Sequence, residues 1–91
     1  MYSHEIKPQL KNVLGRLSKK DKSAYDQILK KIDEIIKSDS VDHYKNLRHD
    51  MKDCKRVHIG HFVLVFSFNR VQNLVSFEDY DHHDKIYKKY R

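Results

Sequence analysis

Arg56 and His58 stand two residues apart in the stretch KRVHIGHFVLVFSF. In a β-strand that spacing puts a guanidinium and an imidazole on one surface, because successive side chains point to opposite sides. Val57 and Ile59 then share the other surface. An imidazole gives or takes a proton near neutral pH, and an arginine fork holds a phosphate through two parallel hydrogen bonds. A second imidazole, His83, falls where a helix is expected to begin, with Tyr87 four residues further on. Backbone amides at such a start favour a bound phosphate, while Asp79, Asp81 and Asp84 flank the position with negative charge. The chemistry these types could perform is proton transfer at a phosphate. His61, in the turn after the first strand, adds a third imidazole. His82 and His83 with His58 and His61 could gather zinc, but no C-x-x-C or H-E-x-x-H spacing accompanies them, so neither a metal nor another cofactor is expected.

The elements that must hold these groups can be read from hydrophobic periodicity. After the half-polar strand of Arg56 and His58 comes a nearly apolar one, with Phe62, Leu64, Phe66 and Phe68 on one face and Val63 and Val65 on the other. Such a strand has covered neighbours on both sides and sits at the centre of a small sheet. Asn69 to Asn73 makes a turn, and Leu74 to Tyr80 forms a further strand with Val75 and Phe77 pointing one way. Upstream, the alternation of Tyr2, His4 and Ile6 predicts a short strand ending near Pro8. Leu10, Val13, Leu14 and Leu17 recur with the spacing of one helical face, in a helix that Gly15 weakens by roughly 1 kcal/mol. Ser18 to Asp21 reads as a capping box opening a second helix that runs to about Ser38. Tyr25, Ile28, Leu29, Ile32, Ile35 and Ile36 form its apolar stripe. Residues 41–54 lack a sustained period and read as an irregular connection anchored by Leu47 and Met51. Asp81, as a cap, with Asp84 at the third position predicts the start of a short basic C-terminal helix. The expected fold is α+β: a small antiparallel sheet in the order β-α-α-β-β-β-α, with a helical hairpin across one face.

The chain has 91 residues, enough for a single domain spanning 1–91 with one core. Nineteen Lys and Arg against thirteen Asp and Glu give a formal charge of +6, which favours a polyanion or an acidic protein as partner. The single cysteine, Cys54, excludes an intrachain disulfide framework and reads as structural in a reducing compartment. No apolar run approaches the ~20 residues that span a bilayer, and the first residues lack the apolar core of a signal peptide. A soluble, cytoplasmic protein without a membrane partner is expected.

The block LRHDMKDCKRVHIGHFVLVF and the ending DHHDKIY resemble the RelE/ParE toxin superfamily of bacterial and archaeal toxin–antitoxin pairs. The first is similar to the family's basic strand and G-x-Y-R-V-I-Y hairpin, the second to its H-R-x-x-I-Y ending. The resemblance covers nearly the whole chain. It implies a ribosome-dependent, metal-independent mRNA endoribonuclease held in check by an acidic, RelB-like antitoxin. Arg56 and His58 fall where RelE places two lysines, and Tyr87 where it places its active-site tyrosine. Val63 stands in place of the family's arginine, and Asp81 in place of another. The YafQ branch matches more closely, with His58 as its strand histidine, His83 as its terminal one, His61 at its aspartate and His43 near its loop histidine.

Such enzymes cleave RNA by attack of its own 2′-hydroxyl on the adjacent phosphate. Imidazoles serve as base and acid, and cations stabilise the phosphorane. The catalytic set implied here is Arg56, His58, His83 and Tyr87 with His61, and which histidine is the base stays open. Tyr87 could equally be a core aromatic or a platform for a stacked base. His4, His43 and His49 read as surface residues. Lys52, Lys55, Lys85, Lys88, Lys89 and Arg91 bracket the site and are expected to bind RNA phosphates, whereas the lysines of the second helix are a solvated face. Two other functions fit the same resemblance: a ParE-like toxin that binds DNA gyrase without cutting RNA, and a RelE homologue whose catalysis is weakened.

Overall fold

The computed structural model describes residues 1–48 and 53–90. In chain order the elements are β1 (Ser3–Ile6), α1 (Pro8–Lys20), α2 (Lys22–Ile36), one 3₁₀ turn (Val41–His43), β2 (Cys54–Ile59), β3 (Phe62–Asn69), β4 (Leu74–His82) and α3 (His83–Lys89). Pro8 stands in the first turn of α1, where its missing N–H costs nothing. The helical hairpin turns on the single residue Asp21. Its carboxylate accepts from the Ala24 N–H at 3.1 Å, and its own N–H donates to the Leu17 carbonyl at 2.9 Å. The expected cap at Ser18 is therefore displaced by three residues. Ser18 still belongs to α1, and its hydroxyl donates to the Gly15 carbonyl at 2.8 Å instead.

The sheet order is β1-β4-β3-β2, with β3 at the interior as its two apolar faces require. β2–β3 and β3–β4 are antiparallel hairpins, but β1 runs parallel to β4, pairing Ser3 with Leu74 and Ile6 with Phe77. The sheet is thus mixed rather than wholly antiparallel. The reason is topological: α1 and α2 carry the chain back over the sheet before β2 begins, so β1 meets β4 side by side in the same direction.

A bulge interrupts β3–β4, since Val65 pairs with Asp79 but Phe66 with Phe77. The extra residue, Glu78, shifts the alternation. Val75 and Phe77 lie under the helices on one side of it, and Tyr80 lies under them on the other. β4 also runs on to His82, two residues beyond expectation, so the cap of α3 is His82 and not Asp81. At the β2–β3 turn Gly60 adopts φ 64°, the left-handed value that a two-residue hairpin turn asks of its first position.

Two apolar clusters result. The larger joins Leu10 and Leu14 of α1 and Ile28, Ile32, Ile35 and Ile36 of α2 to Leu64, Phe66, Phe68, Val75 and Phe77. The smaller lies on the opposite face, where Ile86 of α3 and Leu47 cover Val63 and Val65, with Cys54 and Tyr90 packed against them. Burial raises the Cys54 thiol pKa, with a smaller contribution from Glu78, which suits a packing role. Among the described residues no helix is long and apolar enough to cross a membrane.

Candidate functional site

β2 splits its side chains between the two faces. Val57 and Ile59 pack into the core beneath the helices. Lys55, on their side, is 5% exposed, and its ammonium donates to Asn46 Oδ1 at 2.7 Å with Asp42 Oδ1 at 3.9 Å. Arg56 and His58 look the other way, toward α3. The segment before β2 runs along its edge: the Leu47 N–H donates to the Cys54 carbonyl at 2.8 Å and the Arg56 N–H to the Lys45 carbonyl at 2.9 Å. This pairing brings Lys45 and Arg48 alongside Arg56. On the far side Ile86 pins α3 to the sheet, which leaves the adjacent Tyr87 37% exposed. Lys45, Asn46, Leu47, Arg48, Arg56 and Tyr87 line one open concavity of about 570 Å³.

His58 and Arg56 touch, with Arg56 Nη1 3.4 Å from His58 Nδ1. Partial desolvation, then the charges of Arg56, His83 and Lys45, hold His58 below the ordinary histidine pKa. The influence of His83 places the two imidazoles in one electrostatic neighbourhood. His83 opens α3, and its N–H donates to the His61 carbonyl at 3.1 Å, so the Gly60–His61 turn fixes where that helix begins. Its Nε2 lies 3.2 Å from Asp84 Oδ1, leaving a carboxylate beside the ring whenever it carries a proton. Arg56 Nε and His83 Nδ1 are buried and have no hydrogen-bond partner in the described structure. Unmade hydrogen bonds at two neighbouring groups of this kind are costly in a purely structural setting.

No family model matches the chain. A protein of Methanocaldococcus jannaschii that bears the toxin name RelE4 is 52% identical over 90 residues, covering 98% of this chain and 94% of that one. The chain belongs to the RelE toxin family. An uncharacterized protein of Methanosarcina mazei is 48% identical over 88 residues, 96% of this chain and all of that one. Among solved structures, the isolated RelE toxin of E. coli superposes over the full length of both chains with a TM-score of 0.68 at 17% identity. The RelBE2 toxin–antitoxin complex of Mycobacterium tuberculosis contains a chain matched with a TM-score of 0.57 at 19% identity, over 89% of this chain and 96% of that one. At those identities the likeness is one of fold.

Within this RelE fold the expected catalytic residues divide. Arg56, His58, His83 and Tyr87 gather around the α3 side of β2. His61 is exposed at the hairpin turn, its ring 6.4 Å from that of His82 and nearly parallel to it. Val63, at the place of the family arginine, is fully buried under α3. His43 packs at a tilt against Tyr44 with ring centroids 4.1 Å apart.

The expected phosphate-binding lysines divide further. Lys55 is turned inward and cannot serve. Lys89 is engaged elsewhere, its ammonium 3.0 Å from Asp79 Oδ2 and 3.1 Å from Asp81 Oδ2. Lys85 and Lys89 line a separate groove of about 370 Å³ beside α1, with Arg16, Lys20 and Phe62. Lys88 is exposed on α3. Lys52 and Arg91, with the expected surface His49 and the expected anchor Met51, lie outside the described residues. Lys45 and Arg48 are further cations at this concavity, carried by a segment whose lack of period gives no signal for them.

Proposed function

We propose that this RelE toxin is an endoribonuclease that cuts mRNA on the ribosome, by attack of the 2′-hydroxyl on the adjacent phosphate and without a metal. The observation that carries this reading is the contact of Arg56, which lines a groove with Tyr87, with a His58 held below the ordinary histidine pKa. A neutral imidazole is a ready base at neutral pH. In the free protein the Arg56 guanidinium occupies the Nδ1 lone pair through a long bond. When a scissile phosphate takes the guanidinium, that lone pair is released toward the 2′-hydroxyl. Arg56, with Lys45 and Arg48 around the same concavity, then faces the charge that grows on the phosphorane. His83, with Asp84 at hand to pair its protonated ring, delivers a proton to the departing 5′-oxygen. Tyr87 offers its exposed ring as a platform for a neighbouring base.

The partner we assign is an acidic antitoxin, and the RelBE2 toxin is found with an antitoxin in its own complex. The Phe62 groove suits part of it, with an apolar floor of Phe62 stacked on Tyr80 at 5.1 Å and the cations Arg16, Lys20 and Lys85 at its rim. The cytoplasm, where ribosomes work, is the proposed place of action. Primer extension on mRNA bound to ribosomes should show discrete cuts with the parent protein and none with His58→Ala. Uncut mRNA together with inhibited gyrase supercoiling would replace this reading with gyrase binding.

A further inference from the structure

We propose that His82, His83 and Asp84 form a binding site for a divalent transition cation of the Zn²⁺ type, and that its occupation switches the cleavage groove off by capturing the His83 imidazole. The switching part rests on the function proposed above; the binding part does not. Each of the three residues offers one ligand atom, and these atoms all lie within 4.8 Å of one another. Asp84 Oδ1 is 3.2 Å from His83 Nε2, and Asp84 Oδ2 is 3.7 Å from His82 Nδ1. Tetrahedral zinc with nitrogen and oxygen ligands at about 2.0–2.2 Å separates its ligands by about 3.4 Å, so the side chains already stand near the spacing that the ion demands.

The donor set is also chemically selective. Two imidazoles and one carboxylate suit Zn²⁺ or its neighbours, whereas Mg²⁺ and Ca²⁺ ask for oxygen. Three protein ligands on side chains that are 37%, 40% and 73% exposed leave the fourth position to water. The backbone holds the set in place, since His82 ends β4, His83 begins α3, and the His83 N–H is tied to the His61 carbonyl. Among the described residues the ion must displace the bond from the Asp84 N–H to His82 Nδ1, which at 3.3 Å is long, and take the place of the proton between His83 Nε2 and Asp84 Oδ1. The positive end of α3 opposes a cation, but that helix has seven residues and Asp84 lies in its first turn. A metal on His83 occupies the lone pair the ring needs for proton transfer, so binding and catalysis exclude each other there.

The discriminating variant is His82→Asn, which deletes the imidazole while keeping an oxygen able to cap α3. Zn²⁺ is titrated calorimetrically into the purified protein without RNA, and cleavage is then measured across the same Zn²⁺ range. One equivalent should bind the parent, and His82→Asn and Asp84→Asn should each weaken it ~10-fold or more. His82→Asn should cut mRNA at the parental rate and resist Zn²⁺ that silences the parent. Equal Zn²⁺ affinity in parent and His82→Asn would overturn the site, whether or not the protein proves to be a nuclease. Binding lost in the variant, with parental cleavage indifferent to saturating Zn²⁺, would overturn the switch.

Discussion

Beneath α1 and α2 the sheet is covered by a continuous apolar layer in which Leu64, Phe66, Val75 and Phe77 are fully buried. On its other face the apolar cover among the described residues is small, Ile86 and Leu47 over Val63 and Val65, and Arg56 and Tyr87 line a groove beside it, with His58 in contact with Arg56. The same strands build both faces. One face therefore supplies most of the stability, and the other carries polar groups on a backbone it did little to stabilise. The four residues of the smaller cluster do enough to fix α3, and with it His83 and Tyr87, against β2. A groove on rigid elements keeps its geometry better than one on loops.

The largest effects should separate the faces most sharply. His58→Ala and His83→Ala are expected to slow single-turnover cleavage by ~10²- to 10⁴-fold, while changing unfolding free energy by no more than about 0.5 kcal/mol. Phe66→Ala should do the reverse, costing about 3–5 kcal/mol in urea denaturation through the cavity it leaves. Val65→Ala, on the thinner face, should cost about 2 kcal/mol and loosen α3. Parental cleavage by both histidine variants would remove the catalytic reading of that face.

Lys89→Met sharpens the comparison at the edge where the faces meet. Asp79 is fully buried and takes hydrogen bonds from Lys89 and from Gln9 Nε2, each at 3.0 Å, so it links α3 to α1. With Lys89 partly exposed and screened, the loss should be about 1–2 kcal/mol. Burial pushes the Asp81 carboxyl up, but the Lys89 ammonium, the His82 N–H and Lys85 outweigh it and hold the pKa below the ordinary value. That contribution is present above the unfolded carboxylate value of about 3.9 and fades as pH falls through the lower folded one. Denaturation followed from about pH 5 downward should show it in the parent and less of it in Lys89→Met.

The smallest effect concerns protonation. Arg56→Gln removes a neighbouring positive charge from His58, so its imidazole should titrate closer to the ordinary value of about 6.5 when followed by NMR. An unshifted titration would mean that desolvation, with His83 and Lys45, sets it without Arg56.

Much of this was legible in the sequence because it is local. The β3 alternation and the Ile28 to Ile36 stripe follow directly from the periods of strand and helix, and they brought the core and the direction of Arg56 and His58 with them. The parallel pairing of β1 with β4 was not legible, since hydrogen bonds between residues 3–6 and 74–77 leave no short-range pattern. Lys55 misled because its charge suggested solvent, while the strand period already placed it beside Val57; Asn46 and Asp42 make that burial tolerable. Lys45 was missed because its position depends on two backbone hydrogen bonds across a segment without period. The family resemblance added His83 and Tyr87, whose distance along the chain from His58 hides that α3 carries both.

The parallel strand has a consequence for the order in which the molecule is made. Ser3 finds Leu74 only after seventy further residues have followed it, and the groove needs Lys45 and Tyr87 together. Contacts so distant along the chain form late and slow folding. A nascent chain still short of β4 has no edge for β1 and no α3 to complete the groove. The assembled site therefore first exists only after Tyr87 has been made, so a partner can meet it no earlier than that.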